Sequence, residues 1–265
     1  MKQIVKSTLS RVAPELYTAL VSRRARAHSQ RLEREWGYTE LAHRVLRECG
    51  PRVVAGPFAG LEFTPRTWDR HISPKLFGAY EAALDPVWDH VLATRYAEVL
   101  DVGCADGYYA VGLARLMPGV QVHAFDTDVW ARRTVKEMAE ANGVRNLEVH
   151  GACSPEWLAG NLRPRSFVLS DCEGYEDVLL DPARVPELRT ADVLIELHEA
   201  VAPGVTERLR RRFAATHECT LIDDRPRVPE DYPASAFLPA EDRLRALNEV
   251  RTDGQSWLFL VARSA

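Results

Sequence analysis

A short loop with two glycines follows an apolar stretch in the first half of this 265-residue chain. Asp101, Gly103 and Gly107 form the pattern D-x-G-x-x-x-G, and Asp106 lies inside the loop. Glycine lets a ligand approach the backbone closely and tolerates positive φ. Carboxylates around such a loop repel a pyrophosphate and attract a cation. The pattern therefore predicts a binding site for a cofactor that carries positive charge.

The loop does not match the fingerprint of dinucleotide-binding proteins. That fingerprint, G-x-G-x-x-G, counted from Gly103, requires glycine at positions 105 and 108. This chain has Ala105 and Tyr108 there. An NAD-dependent enzyme is therefore a disfavoured alternative.

Residues suited to proton transfer follow two later apolar stretches. Residues 171–176 read DCEGYE, and residues 196–199 read ELHE. Removing a proton from an acceptor group requires a base whose pKa lies near the working pH, and histidine meets that requirement. We expect His198 or a neighbouring carboxylate to be the base, with Glu196 and Glu199 available to orient the ring.

The same residues offer an alternative chemistry, which is metal binding. Asp171, Glu196 and His198, with Glu173 beside them, are oxygen and nitrogen donors that can converge on Mg²⁺ or another divalent metal. Such an ion lowers the pKa of a bound hydroxyl and orients it. Glu176 stands at a helix start, where an acid stabilises the helix N-terminus. We expect a structural role for it.

The elements that position these residues alternate regularly. Strands are predicted at 98–102, 120–125, 146–150, 166–169, 193–197, 219–222 and 257–261, and helices at 108–117, 129–142, 155–162, 175–181 and 204–216. This alternation predicts an α/β fold with a doubly wound, Rossmann-like sheet of seven strands. The long, proline-rich connection at 223–255 fits an antiparallel last strand. Ligands of such sheets bind at the carboxyl ends of the strands, where the loop and the acids stand.

An N-terminal helical segment is predicted before the sheet. We divide the chain into this segment with a cofactor-covering region, 1–94, and the sheet domain, 95–265. Helices are expected within 5–48, from 74 to 94, and at 241–247 in the late connection. Residues 1–34 hold eight Lys or Arg against two Glu. A solvated face of a packing helix is the expected role, and peripheral contact with an anionic membrane or an acidic partner is the alternative.

Composition narrows the class of partner. The net charge of −4 argues against nucleic acid as the general partner. The five cysteines are widely spread without a C-x-x-C pair, which indicates neither a disulfide framework nor a zinc site. The beginning of the chain is not a secretory signal, and no run of about 18 apolar residues predicts a transmembrane helix. The expected compartment is the cytoplasm.

Residues 98–110, EVLDVGCADGYYA, resemble the first motif of the class I methyltransferases that use S-adenosylmethionine (SAM). SAM carries a sulfonium and an ammonium group and no phosphate. The resemblance implies that the acid ending the next strand, Asp126, binds the ribose hydroxyls, with Thr127 beside it; a carboxylate can accept both hydrogen bonds. The other residues implied to bind the cofactor are Asp101, Gly103, Cys104, Ala105, Gly107, Tyr108 and Asp171.

A second resemblance, to the FkbM-like branch of these enzymes, covers about residues 50–262. It rests on DCEGYE (171–176) and ELHE (196–199), and includes GPFAG (56–60), LFGAYE (76–81) and the strand of Trp257. The chain departs from the branch by having Leu169-Ser170-Asp171-Cys172 in place of a lysine-aspartate-valine sequence, and by Asp106 in the first loop. Segment 76–81 is expected to cover the cofactor, with Lys75, Tyr80 or Glu81 reaching it.

The FkbM-like resemblance implies O-methylation of a hydroxyl on a sugar, a polysaccharide precursor or a secondary metabolite. The acceptor is then a small molecule or a glycoside. Asp171, Glu173 and His198 are the expected catalytic residues. The alternatives are N- or C-methylation, or a catalytically inactive scaffold that retains the fold.

Overall fold

The computed structural model describes residues 37–68, 71–249 and 254–263. The basic segment 1–34, for which we expected a helical face or a peripheral contact, lies outside the described residues. Within the described part of the chain, no helix combines the length and apolar character that crossing a bilayer requires.

Seven strands form one mixed sheet with the order β3-β2-β1-β4-β5-β7-β6. The strands are β1 (Glu98–Val102), β2 (Gln121–Phe125), β3 (Leu147–His150), β4 (Phe167–Ser170), β5 (Asp192–Glu196), β6 (His217–Asp223) and β7 (Ser256–Ala262). All neighbouring pairs are parallel except those that β7 makes with β5 and β6. The predicted doubly wound sheet with an antiparallel last strand is confirmed, and no strand boundary differs from its prediction by more than two residues.

Helices cover both faces of the sheet. They are α1 (Tyr38–Cys49), α2 (Ile72–Leu76), α3 (Asp85–Ala93), α4 (Tyr108–Leu116), α5 (Val129–Ala141), α6 (Pro155–Asn161), α7 (Glu176–Leu179), α8 (Val205–Phe213) and α9 (Ala240–Leu247). Apolar side chains of α1, α3, α4, α5 and α9 share one core on the first face. Those of α6, α7 and α8 form a second core on the opposite face. Residues 37–94 therefore pack into the same core as the sheet.

The helical prediction over 74–94 is confirmed except at residues 77–81, where the chain breaks. Helix α2 ends at Leu76, and α3 begins only at Asp85. Between them, Gly78 has a φ of 69°, and a Cβ on it would lie 2.3 Å from the Ala55 carbonyl oxygen. Glu81 is also left-handed, with a φ of 47°. The chain turns here because it packs against the 56–60 turn.

Candidate active site at the carboxyl edge of the sheet

The loop after β1 packs directly against the segment after β4. Gly103 has a φ of 92°, and a Cβ on it would lie 1.7 Å from the backbone oxygen of Asp171. The backbone N–H of Asp171 donates to the Val102 carbonyl at 2.8 Å. Only glycine fits this crossing. The contact brings the carboxyl groups of Asp101 and Asp171 into electrostatic interaction.

The rest of the loop is held by hydrogen bonds to neighbouring strand ends. The backbone N–H groups of Gly103 and Cys104 donate to the Phe125 carbonyl at 2.9 and 3.0 Å. Cys104 is buried, whereas Ala105 is exposed and has a φ of 44°. Gly107, with a φ of 88°, precedes the first residue of α4. The loop is thus exposed at its centre and anchored at both ends.

Asp101 is a buried acid without a complete set of hydrogen bonds. It is 2% exposed, and among the described residues its Oδ2 has no hydrogen-bond partner. Burial, followed by the charge of Asp171, raises the pKa of Asp101 to about 8. A buried, unpaired carboxyl oxygen is costly, and a cation beside it removes that cost.

Asp126 joins the end of β2 to the loop. Its Oδ2 accepts from the Ala105 N–H at 3.0 Å, and its Oδ1 accepts from the Asp128 N–H at 2.8 Å. Each carboxylate oxygen has a second lone pair, so both can still accept from a ligand hydroxyl. Thr127 is exposed, and the carboxylate of Asp128 caps α5 by accepting from the Trp130 N–H at 2.8 Å.

Tyr108 contributes its backbone to the loop and its ring to the core. Its N–H donates to Asp106 Oδ1 at 3.2 Å. The residue is 4% exposed, and its ring stacks on Phe63. Lys75 pairs with the carboxylate of Asp106 and lies 4.9 Å from the centre of the Tyr80 ring. Segment 75–80 therefore reaches the loop through Lys75.

Carboxylates surround His198 at the ends of β4 and β5. Its Nδ1 lies 2.9 Å from Glu176 Oε1. Its Nε2 lies 3.5 Å from Asp171 Oδ1, 3.6 Å from Glu173 Oε2 and 3.8 Å from Glu196 Oε1. Burial alone would lower the pKa of His198, but the hydrogen bond to Glu176 and the charges of neighbouring carboxylates raise it above its ordinary value. The ring is thus oriented by one carboxylate and faces three others.

Glu176, not Glu199, holds the imidazole. Its Oε1 also accepts from the backbone N–H groups of Cys172 and Gly174 at 3.1 and 3.2 Å. Burial would raise its pKa, but the hydrogen bond to His198 and the backbone amides lower it. Glu199, which we expected to be available for orienting the ring, instead accepts from the N–H groups of Gly204 and Thr206 at the start of α8.

Three donors of the cluster lie close enough to share an ion. Atoms of Asp171, Glu196 and His198 lie within 4.8 Å of one another. Glu196 is buried and accepts a hydrogen bond from Gln255, the residue preceding β7. The structure brings together every residue predicted for catalysis or metal binding. It adds Glu176 and Gln255, whose contacts arise from packing between elements.

A cleft with a mixed polar and apolar lining borders this cluster at the same edge of the sheet. Its volume is about 720 Å³, within the usual range of ligand sites. Its lining includes acids, arginines and amides from the β6 end, the following connection and the start of β7, among them Asp223, Asp224, Arg227, Asn248, Glu249 and Gln255. Gln255 connects the cleft to Glu196 and hence to His198.

No protein-family model and no curated protein matches the chain, so the FkbM-like resemblance stays a prediction. Solved structures that are similar to the chain include an rRNA methylase from Streptococcus thermophilus, with 13% identity over 69% of this chain and 97% of that one and a TM-score of 0.46. They also include the O-methyltransferase TomG from Streptomyces achromogenes in complex with SAM. Its identity is 14%, the match covers 84% of this chain and 89% of that one, and the TM-score is 0.43.

A third similar structure is the precorrin-6y C5,15-methyltransferase from Geobacter metallireducens, with 11% identity, coverage of 72% of this chain and 89% of that one, and a TM-score of 0.42. All three are named as methylating enzymes.

Proposed function

We propose that the protein is a SAM-dependent O-methyltransferase acting on a hydroxyl of a small, sugar-like acceptor. The observation that carries this proposal is the buried carboxyl of Asp101, whose Oδ2 has no hydrogen-bond partner among the described residues. It precedes the loop whose central residue, Ala105, is exposed, and it interacts electrostatically with Asp171, Asp126 and Asp106. A nucleoside ligand that carries a cation fits such a site, whereas a pyrophosphate does not.

The residues fit SAM in two respects. Asp101 and Asp171 provide negative charge for its ammonium and sulfonium groups, and Asp126 has lone pairs for the ribose hydroxyls. When bound, SAM would supply an activated methyl group. The exposure of Ala105 at the centre of the loop leaves room for a ligand there.

The proposed acceptor site is the 720 Å³ cleft beside the His198 cluster. Its charged and amide lining offers hydrogen bonds to several hydroxyl groups, which favours a polyhydroxylated molecule such as a sugar or glycoside. Because three acids line the cleft against two arginines, its net charge is negative, and we favour such an acceptor over nucleic acid, whose phosphates a negative cleft repels.

His198 is the proposed general base. Glu176 fixes the ring through Nδ1 and leaves Nε2 turned toward Asp171, Glu173 and Glu196. Nε2 can therefore take the proton of an acceptor hydroxyl as that oxygen attacks the methyl carbon. The bond from oxygen to the methyl group forms, the bond from sulfur to the methyl group breaks, and the proton goes to His198. A cation held by Asp171, Glu196 and His198 is the alternative means of activating the hydroxyl.

The first experiment compares two neighbouring acids by calorimetric titration with S-adenosylhomocysteine. Asp126→Ala is expected to weaken binding at least about 100-fold, because two charge-assisted hydrogen bonds are lost. Asp128→Ala is the matched control: it removes the cap of α5 and costs about 1 kcal/mol of stability, but leaves the affinity within about threefold. Equal losses in both variants, or no binding by folded wild-type protein, would contradict the proposed cofactor site.

The raised pKa of Asp101 predicts that cofactor binding releases a proton. Because its pKa is about 8 in the free protein, it is largely protonated at pH 7. A cation beside it stabilises the carboxylate and lowers that pKa, so binding at pH 7 releases close to one proton, and affinity rises as pH increases from 6 to 8. Titration in buffers of different ionisation enthalpy measures this proton. Asp101→Asn should abolish the release, and a buffer-independent enthalpy in the wild type would contradict the assignment.

A further inference from the structure

Two histidines and a glutamate converge on one face of the sheet, near the end of β2 and several strands from the His198 cluster. His123 lies on β2, and Glu148 and His150 lie two residues apart on the edge strand β3. His123 and Glu148 are direct neighbours in the strand register. Alternation along a strand places Glu148 and His150 on the same face. Three or four interstrand spacings, about 14–19 Å, separate this group from the strand that ends beside His198.

The three donor atoms form a nearly equilateral triangle. His123 Nδ1 lies 3.1 Å from His150 Nε2 and 3.6 Å from Glu148 Oε2, and the last two atoms are 3.7 Å apart. The point equidistant from all three is about 2 Å from each, which is the length of a bond from zinc to a histidine nitrogen or carboxylate oxygen. A hydrogen bond between the two rings accounts for the first distance only. That hydrogen bond does not explain the position of the Glu148 carboxylate, whose Oε2 faces both ring nitrogens without forming a hydrogen bond to either.

Neighbouring groups hold the two imidazoles in this orientation. The indole of Trp157, on α6, packs against both rings at centroid distances of 5.7 and 5.6 Å. Phe125 stacks on His150 at 4.7 Å. The buried carboxylate of Glu98 lies 3.8 Å from His123 Nε2, the ring nitrogen that faces away from the triangle. A carboxylate behind a ligating histidine is a common feature of metal sites.

We propose that His123, Glu148 and His150 bind one divalent transition metal of the zinc type, separate from the catalytic cluster. Two imidazoles and one carboxylate are a ligand set that suits Zn²⁺. The Glu148 side chain is 61% exposed, so the ion reaches the site from solvent and keeps a coordination position for water. The bound metal joins β2 to the edge strand β3.

Zinc titration of the untagged protein tests this inference. The wild type is expected to bind one equivalent of Zn²⁺, with a melting temperature that rises with zinc concentration because only the folded state presents the site. Glu148→Gln changes an exposed side chain without disturbing the core, and it should weaken Zn²⁺ binding at least about 10-fold. His123→Gln should weaken it about 100-fold or more.

Two histidine controls identify the site. His198→Gln alters the catalytic cluster. His90→Gln alters a histidine that pairs with Asp192 at the start of β5, on the amino edge of the sheet. Both variants should bind Zn²⁺ as the wild type does. Loss of binding in His198→Gln with retention in Glu148→Gln would overturn the inference. So would the absence of zinc binding by folded wild-type protein, since the two rings would then share only a hydrogen bond.

Discussion

Replacing His198 with glutamine is expected to lower kcat by about 10²- to 10⁴-fold, the usual contribution of a positioned general base. Affinity for S-adenosylhomocysteine should stay near the wild-type value, because the substitution retains the Asp171 carboxylate that is proposed to face the cofactor. Glutamine retains polar atoms for the hydrogen bond to Glu176, so the cluster is not left with a cavity. Single-turnover assays with an identified acceptor measure the effect.

The pH profile tests the role of Glu176 in the same reaction. A base acts only when it is neutral, so kcat/KM should rise with pH through the pKa of His198, which lies above its ordinary value. Glu176 stabilises the imidazolium, and its replacement by glutamine removes that charge. Glu176→Gln should therefore lower the pKa of His198 and move the rising limb to lower pH. A merely structural role for Glu176 would reduce activity without moving the limb.

His90→Gln is the matched control, since it changes a histidine–carboxylate pair at the amino edge of the sheet. It should leave kcat within a few-fold. Full activity of His198→Gln would contradict the assignment of His198 as the general base. Activity that EDTA abolishes and Mg²⁺ restores would favour the metal alternative at Asp171, Glu196 and His198. A folded protein that binds cofactor but turns over no acceptor would favour the scaffold alternative.

Gly103→Ala is expected to destabilise the protein by at least about 3 kcal/mol. The residue has a φ of 92°, and its Cβ would lie 1.7 Å from the Asp171 carbonyl oxygen. The strand ends must then separate, which lowers the melting temperature by about 6–12 °C. Separation also moves Asp171 away from Asp101, so cofactor binding should be lost. Thermal unfolding and calorimetric titration measure the two effects.

Gly160→Ala provides the control for this substitution. Gly160 lies in α6, has no left-handed φ, and a Cβ there meets nothing within 4 Å among the described residues. Alanine is the better helix former, so this variant should be more stable by about 0.5–1 kcal/mol with unchanged cofactor affinity. A Gly103→Ala protein as stable as the wild type would show that the close contact between the loop after β1 and the segment after β4 can adjust without cost.

Local signals explain why the sheet was predictable from sequence. The strands β1, β4, β5 and β7 contain apolar runs bounded by small or polar residues, and the ends of β1, β2, β4 and β5 carry the loop glycines and the acids. Parallel strands bring those ends to one edge, so the sequence alone groups Asp101, Asp126, Asp171 and His198.

Contacts between distant segments explain what the sequence did not reveal. The break at Gly78 depends on its packing against Ala55, which no local pattern encodes. Glu176 could be explained by its position at a helix start, yet its main partner, His198, lies 22 residues later in the chain. Glu176 rather than Glu199 bonds His198, because the connection into α8 places the Glu199 carboxylate against the N–H groups of Gly204 and Thr206.

The position of Asp171 has a consequence for how charge moves during turnover. It interacts with the buried carboxyl of Asp101 and lies 3.5 Å from His198 Nε2. In the proposed reaction, His198 becomes positive in the same step in which the methyl donor becomes less so. The carboxylates therefore face a cation before and after transfer, and little solvent reorganisation is needed. The positive charge on the imidazole is lost only when the proton leaves His198 for solvent, so each turnover of the proposed reaction ends with the release of one proton from this edge of the sheet.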